Sequence, residues 1–397
     1  MHRYFRQIAV FVCLTHILSY LAYGDVTGIR FGQNGDTTRV VLDMTVKVEP
    51  GIFLLANPNR VVIDLPANDW RASDNVNTPG IVDGYRHGLF NTGTYRIVLD
   101  LNGPATVKKS FYIPPRSGYS HRLVLDLQTS SESNFLRAVE DSKEKRRKLI
   151  AKAVKQSPSV ATIPRTNGKR LIVIDPGHGG VDPGTLGVLG VNENVIVLKI
   201  AKMIKEVLEA TGRYDVHLTR STNVYIPHRQ RYDIAKRMNA DLFVSIHADA
   251  IANPKVRGGT IYTLSEKASD REAARLAAKE NRSDIIAGLD LATANDDVSN
   301  ILIDLAQRET MNLSAQFAET LLPEMRAQVK MLKRGHRYAN LLVLKSPDVP
   351  SILLETGYLT NREDARLLNS RDGQRRIALA LRRGLDKYFT EQAALGR

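Results

Sequence analysis

The strongest constraint on folding is a hexapeptide that occurs four times early in the chain. It reads RVVLDM at Arg39–Met44, RVVIDL at Arg60–Leu65, RIVLDL at Arg96–Leu101 and RLVLDL at Arg122–Leu127. Each copy is rich in β-branched residues, and turn formers such as Asn57-Pro58-Asn59 and Asn102-Gly103-Pro104 separate them, so each is read as a strand. With a period of two, Val40, Leu42 and Met44 share one face, and Arg39, Val41 and Asp43 share the other. The same division holds in every copy. Four wholly apolar faces can pack together, while the Arg/Asp faces can form cross-strand ion pairs. Residues 25–129 are therefore expected to form an all-β, sandwich-like domain, with no catalytic constellation in it.

The chain has 397 residues and is 43% hydrophobic and 25% charged, a composition of globular domains rather than disordered or membrane-embedded ones. Arg3 and Arg6 precede an apolar stretch from Ile8 to Leu21, followed by Ala22-Tyr23-Gly24. This is the pattern of a secretory signal peptide over 1–24, and a retained anchor is the alternative. The one cysteine, Cys13, lies inside that stretch, so disulfides are not expected to support the exported chain. The formal charge of +14 points to acidic partners. Half of it is local: residues 131–170 hold 11 Lys/Arg against 4 Asp/Glu, including KEKRRK at 143–148. Residues 130–170 read as a basic linker with a short helix near 134–154. Contact with an anionic membrane surface is one reading of it, and a merely solvated linker is the other. The signal peptide, this localisation of charge and the lack of a reading motif argue against nucleic acid as a partner.

From Leu171 to the end at Arg397 the texture becomes α/β. Strands are expected at 171–175, 214–219, 241–246, 259–264, 341–345 and 351–354, with helices at about 192–211, from Pro227, and at about 371–391. Such alternation implies a mostly parallel central sheet flanked by helices, with functional groups at the carboxyl ends of its strands. His178 follows the first strand in DPGHGG, His247 ends SIH, Glu355 ends SILLE, and Glu193 opens a helix. Two imidazoles and a carboxylate are a hydrolytic zinc donor set, and a further carboxylate can move a proton. Each residue alone has an ordinary structural reading; a helix-start Glu, for example, needs no metal to be favourable. The glycine-rich loop lacks GK[ST], which excludes a nucleotide P-loop. His87, His121, His217, His228 and His336 have no comparable setting and are taken as structural.

IVIDPGHGGVDPG, Glu193-Asn194, LTR (218–220), DLFVSIHAD and VLKSPDVPSILLETGYLTN together resemble the zinc-dependent N-acetylmuramoyl-L-alanine amidases of bacterial cell separation. The β domain resembles the AMIN domain that precedes such catalytic domains. The resemblance implies Zn2+ held by His178, Glu193 and His247, with Glu355 as the catalytic carboxylate. It implies peptidoglycan as substrate, cut between N-acetylmuramic acid and L-alanine of the stem peptide, in the periplasm. Arg220 is a candidate for orienting the anionic stem peptide, with a structural role as the alternative. The sequence departs from the family where an aromatic is expected and Leu341 or Leu342 stands.

The stretch from 264 to 341 is far longer than a crossover requires, and a helical insertion is placed at about 268–310. Within it REAARLAAKENRSDIIAGLDL reads as a helix, and Glu280 falls in line with Ala273, Leu276 and Ala277. The resemblance implies that this helix covers the cleft, with Glu280 as an autoinhibitory metal ligand. It also implies that 297–309 serves as a handle for a LytM-type divisome activator. A catalytically silent wall-binding protein and a different zinc hydrolase, such as a carboxypeptidase, are the competing readings.

Overall fold

The computed structural model describes residues 24–66, 69–91, 93–116, 118–154, 168–289 and 301–394. The signal peptide therefore lies outside the described residues, apart from Gly24. Eight strands come first: β1 (Val26–Asn34), β2 (Thr37–Met44), β3 (Gly51–Leu55), β4 (Arg60–Pro66), β5 (Val82–Asn91), β6 (Thr94–Leu101), β7 (Ala105–Ile113) and β8 (His121–Thr129). They form two antiparallel sheets, ordered β1-β2-β8-β7 and β3-β4-β6-β5. The four hexapeptides are β2, β8, β4 and β6, the two central strands of each sheet. Their apolar faces meet in one core that includes Val40, Leu42, Met44, Ile63, Leu65, Leu99, Leu123, Leu125 and Leu127.

The other faces carry cross-strand ion pairs. Arg39 stands opposite Asp126 and pairs with it at 2.7 Å; Arg96 stands opposite Asp64 and pairs at 2.6 Å. The remaining register partners look elsewhere. Asp43 takes Arg30 from the edge strand, Asp100 takes Arg86, and Arg60 donates to backbone carbonyls. A long helix, α1 (Glu132–Val154), follows and seats Phe135 and Val139 against the β core.

The second half is built from β9 (Arg170–Pro176), α2 (Glu193–Glu209), β10 (Tyr214–Leu218), α3 (His228–Arg237), β11 (Leu242–His247), β12 (Gly259–Leu264), α4 (Arg271–Glu280), α5 (Ser283–Ile286), α6 (Ile301–Arg326), β13 (Met331–Ala339), β14 (Ser351–Glu355), α7 (Arg362–Asn369) and α8 (Arg371–Ala394). The sheet order is β10-β9-β11-β14-β12-β13. It is mixed: β12 runs antiparallel to β14, and the other neighbours are parallel. Helices α2, α6 and α8 cover one face around Ile174, Ile200, Val244, Phe317, Ile352 and Leu381. The opposite face packs Val173, Phe243 and Leu353 against α3, α4 and the 339–344 segment.

Two expectations are corrected. The apolar run after Asn340 is not a strand; Leu342–Leu344 is a 3-10 turn. Its hydrophobicity reflects burial: Leu341, Val343 and Leu344 share one apolar cluster with Ala273, Leu276 and Ala277 of α4. The strand is β13, which borders the sheet and carries Lys333, Arg334 and Arg337, charges typical of a protected edge. Likewise, the helix expected from residue 271 onward breaks at Asn281-Arg282 into α4 and α5.

Candidate metal centre

Parallel pairing of β9, β11 and β14 brings their carboxyl ends to one edge, with His247 in register with Glu355. His178 lies two residues beyond β9 with φ of 57°, in the left-handed region. Glu193 opens α2 and is fully buried. Its Oε1 accepts from Ala248 N at 2.9 Å and its Oε2 from Thr185 N at 3.0 Å. Room for it depends on Gly184, at φ +68°, where a Cβ would lie 2.8 Å from both Glu193 Cβ and His178 Cδ2.

Four of the five candidate residues converge tightly. Glu193 Oε1 lies 3.2 Å from His178 Nε2 and 3.3 Å from His247 Nδ1. Glu280, the last residue of α4, brings Oε2 to 3.5 Å from His178 Nε2 and 3.1 Å from His247 Nδ1. Glu355 lies at the same edge; its Oε2 accepts from Asp249 N at 3.0 Å. His178 Nε2, His247 Nδ1, both Glu280 oxygens and Glu355 Oε1 are buried without a hydrogen-bond partner. Buried polar atoms are rarely left so, and several converging ones of this chemistry are what a bound cation satisfies. His178, Glu193 and His247 offer donor atoms within 4.8 Å of one another, the His/Glu/His set that suits a transition metal such as zinc.

The electrostatics agree. Burial opposes charge on His178 and His247, yet the surrounding carboxylates raise both above the ordinary imidazole range, His247 to about 9. The pocket thus favours positive charge strongly. Burial acts the other way on Glu355 and, with Glu193 and Glu280 nearby, lifts its carboxyl to about 8 against the opposing pull of His247.

The support around the donors was not read from the sequence. His178 Nδ1 lies 2.8 Å from Asp182 Oδ2. The Asp182 carboxyl is held down at about 2: burial pushes it up, and His178 and Ser283 more than offset that. An ionised Asp182 fixes the proton on Nδ1 and leaves Nε2 as the donor. DPGHGGVD places this aspartate four residues after the histidine, and that spacing was the available signal. Arg220 is 2% exposed and donates to the carbonyls of Pro176, Gly177, Thr222 and Asn194. It ties the histidine loop to α2, and its burial and four carbonyl partners make its role structural. Beside it, Arg231 and Asp175 form a buried pair at 3.0 Å.

The helix bearing Glu280 is anchored along its length. Ala273, Leu276, Ala277 and Glu280 are buried on the one face the sequence indicated. Lys279 donates to Thr185 Oγ1 at 2.8 Å and contacts Asp249. His228, taken as merely structural, places Nε2 2.9 Å from the Glu280 carbonyl oxygen. Ser283 reaches Asp182, and Tyr225 donates to Asp284 at 2.5 Å.

Comparison with known proteins agrees with this architecture. Residues 172–387 match the family model described as N-acetylmuramoyl-L-alanine amidase, and residues 28–127 match that of the AMIN domain. AmiC of Neisseria meningitidis serogroup B is 32% identical over 91% of this chain and 89% of its own length. AmiC of Escherichia coli O6:H1 is 31% identical over 96% of this chain and 93% of its own. Among solved structures, the amidase AmiC2 of Nostoc punctiforme is 31% identical, covering 57% of this chain and 99% of its own, with a TM-score of 0.41. The family match over 172–387 and the two AmiC relatives thus define a peptidoglycan amidase. The chain belongs to the N-acetylmuramoyl-L-alanine amidase family and is of the AmiC type, with an AMIN domain preceding the catalytic one.

Proposed function

We propose that this chain is a zinc-dependent amidase that cuts the bond between the lactyl group of N-acetylmuramic acid and L-alanine of the stem peptide. The observation that carries the reading is the convergence of His178, Glu193 and His247, with His178 Nε2 and His247 Nδ1 buried and unpartnered, at the sheet edge where Glu355 stands in register with His247. His178, Glu193 and His247 hold the metal, which when bound supplies Lewis acidity and a water of lowered pKa. Glu355, fixed through Oε2 by Asp249 N, takes the proton of the attacking water at Oε1 and returns it to the leaving amine. Asp182 and Arg220 keep the histidine loop in place.

Helix α4 is a brake. Glu280 lies within 3.5 Å of both imidazoles, where its carboxylate would serve as a further ligand to a metal held by His178, Glu193 and His247 and would compete with substrate for it. In this reading the chain is exported by residues 1–24 to the periplasm, and a LytM-type divisome protein grasps 297–309 at the septum. Residues 290–300 lie outside the described structure, and α6 begins at Ile301. The basic linker is either a solvated spacer or a contact for an anionic membrane surface, and vesicle binding separates the two. Among the described residues no helix is long and apolar enough to cross a membrane.

The test is mass spectrometry of peptidoglycan digested by zinc-loaded protein, comparing the full mature chain, Glu280→Ala and a chain lacking about 268–308. Intact stem peptides released faster by the two altered chains establish both the bond and the brake. Equal release from all three keeps the bond and removes the brake. Silence from all three, with zinc bound and the fold intact, points to a wall-binding protein; a different scissile bond points to another zinc hydrolase.

A further inference from the structure

The two sheets of the β domain carry the same Arg-Val-Asp face, but among the described residues only the face over β4 and β6 packs against the catalytic half. Over β4 and β6, Val62 and Val98 are buried together with Phe53 and Leu55 against Val181, Tyr225 and Ala287 of the catalytic half. The arginines of this face end on consecutive carbonyls at the carboxyl end of the α4–α5 segment. Arg60 donates to the Ile285 carbonyl, Arg86 Nε to Ile286 O at 2.7 Å, and Arg96 Nη1 to Ala287 O at 2.9 Å and Gly288 O at 3.2 Å. Carbonyls at a helix end carry partial negative charge and lack intrahelical partners, so guanidinium groups suit them. Arg96 is itself fixed by Asp64 and by Phe90, whose ring centroid lies 3.5 Å from its Cζ.

The same sheet touches the histidine loop. Tyr225 N donates to Leu89 O at 2.9 Å, and Leu89 and Val224 form a bridge. Gly180, two residues after His178, has φ +56°, and a Cβ there would stand 1.9 Å from Leu89 O. A glycine is required for so close an approach.

We infer that the second sheet of the β domain is a latch for the brake: Arg60, Arg86 and Arg96 hold the 285–288 carbonyls and thereby keep Glu280 in the metal site. The inference rests on the reading of α4 as a brake. It assigns the β domain a role in restraining the enzyme that is separate from any wall contact, because the covered face is not open to another ligand while the latch is closed. Release of α4 then requires the two halves to part, or the segment to slip from beneath the arginines.

The experiment uses the full mature chain, zinc-loaded, with Arg86→Gln/Arg96→Gln as the first variant. Phe90→Ser is the second; it lies on the edge strand β5 and leaves the arginine–aspartate ladder in place. Glu280→Ala is the reference. Two quantities are read: amide hydrogen exchange over 276–289, and hydrolysis of soluble glycan fragments, so that capture on intact wall does not enter. The latch predicts faster exchange and hydrolysis faster by about tenfold or more in at least one β-domain variant that keeps its circular dichroism spectrum, since losing even one of the three charge-assisted hydrogen bonds removed by the arginine variant is worth about that factor. Wild-type exchange and hydrolysis in both β-domain variants, with Glu280→Ala accelerated, overturn the latch and leave the brake standing. An unaccelerated Glu280→Ala removes the brake itself, and the latch with it.

Discussion

Asp182 makes the sharpest test of the metal centre, because it touches no substrate and yet fixes a donor atom. Asp182→Asn keeps the side-chain shape and an acceptor oxygen while removing the charge opposite His178 Nδ1, 2.8 Å away. Both side chains are at most 5% exposed, so solvent screening does not discount the pair. A hydrogen bond to a charged group contributes about 1.5–3 kcal/mol and a neutral one about 0.5–1.5 kcal/mol. The difference of roughly 1–2 kcal/mol corresponds to zinc binding about 5- to 30-fold weaker, in line with the effect of losing such supporting partners. Because the carboxyl sits at about 2, the loss is expected across the whole neutral range. The assay is competition for zinc between the protein and a chromophoric chelator, with thermal melting as the folding control. Affinity within about twofold of the parent, in a protein of unchanged Tm, would refute the argument that Asp182 sets the donor state of His178.

Further expectations concern separate parts of the molecule. Glu355→Gln is expected to retain zinc but lose about 10²- to 10⁴-fold in hydrolysis rate, since an amide cannot carry the proton; full activity would remove Glu355 from the chemistry. Chelation should abolish stem-peptide release and zinc should restore it, as measured by mass spectrometry of the digest. Asp175→Asn leaves Arg231 buried and uncompensated and should cost about 3–5 kcal/mol in denaturant unfolding. For the parent protein, burial raises the Asp175 carboxyl, but Arg231, Thr219 and Ser245 bring it below the ordinary value. Its contribution is therefore present above the unfolded carboxylate range and lost as pH falls through the depressed value, which acid titration of the variant against the parent will read. Arg146→Gln/Arg147→Gln should weaken binding to anionic vesicles; unchanged binding would reduce the linker to a spacer.

Much of this site was legible because the sheet is largely parallel. Strands that run together must end together, so His178, His247 and Glu355, each at or just past a strand end, had to share an edge. Helical spacing likewise put Glu280 on the buried face of α4 with Ala273 and Leu276. The hexapeptides were equally direct, since a period of two fixes which side chains meet. What escaped has a physical reason in each case. The edge strand β13 has poor alternation because one of its sides is unpaired, and the largely buried 341–344 run looks like a strand because a short apolar run reports burial more than conformation. The structural role of Arg220 depends on four carbonyls from three segments, which no local pattern encodes. Above all, the packing of one β sheet and not the other against the catalytic half, among the described residues, could not be read, because the four motifs are nearly identical and only their tertiary surroundings differ.

That inequality has a consequence for how the chain tolerates change. A saturation library across the four hexapeptides would read one motif twice and return two answers. Arg39, which pairs with Asp126 and lies over Phe111, and Arg122, which lies over Tyr119, make these contacts within their own domain, whereas substitutions at Arg60 and Arg96 disturb another domain as well. The first pair should accept many side chains with little cost in fold or activity. The second should accept few, and the survivors should be enriched for chains that hydrolyse without an activator.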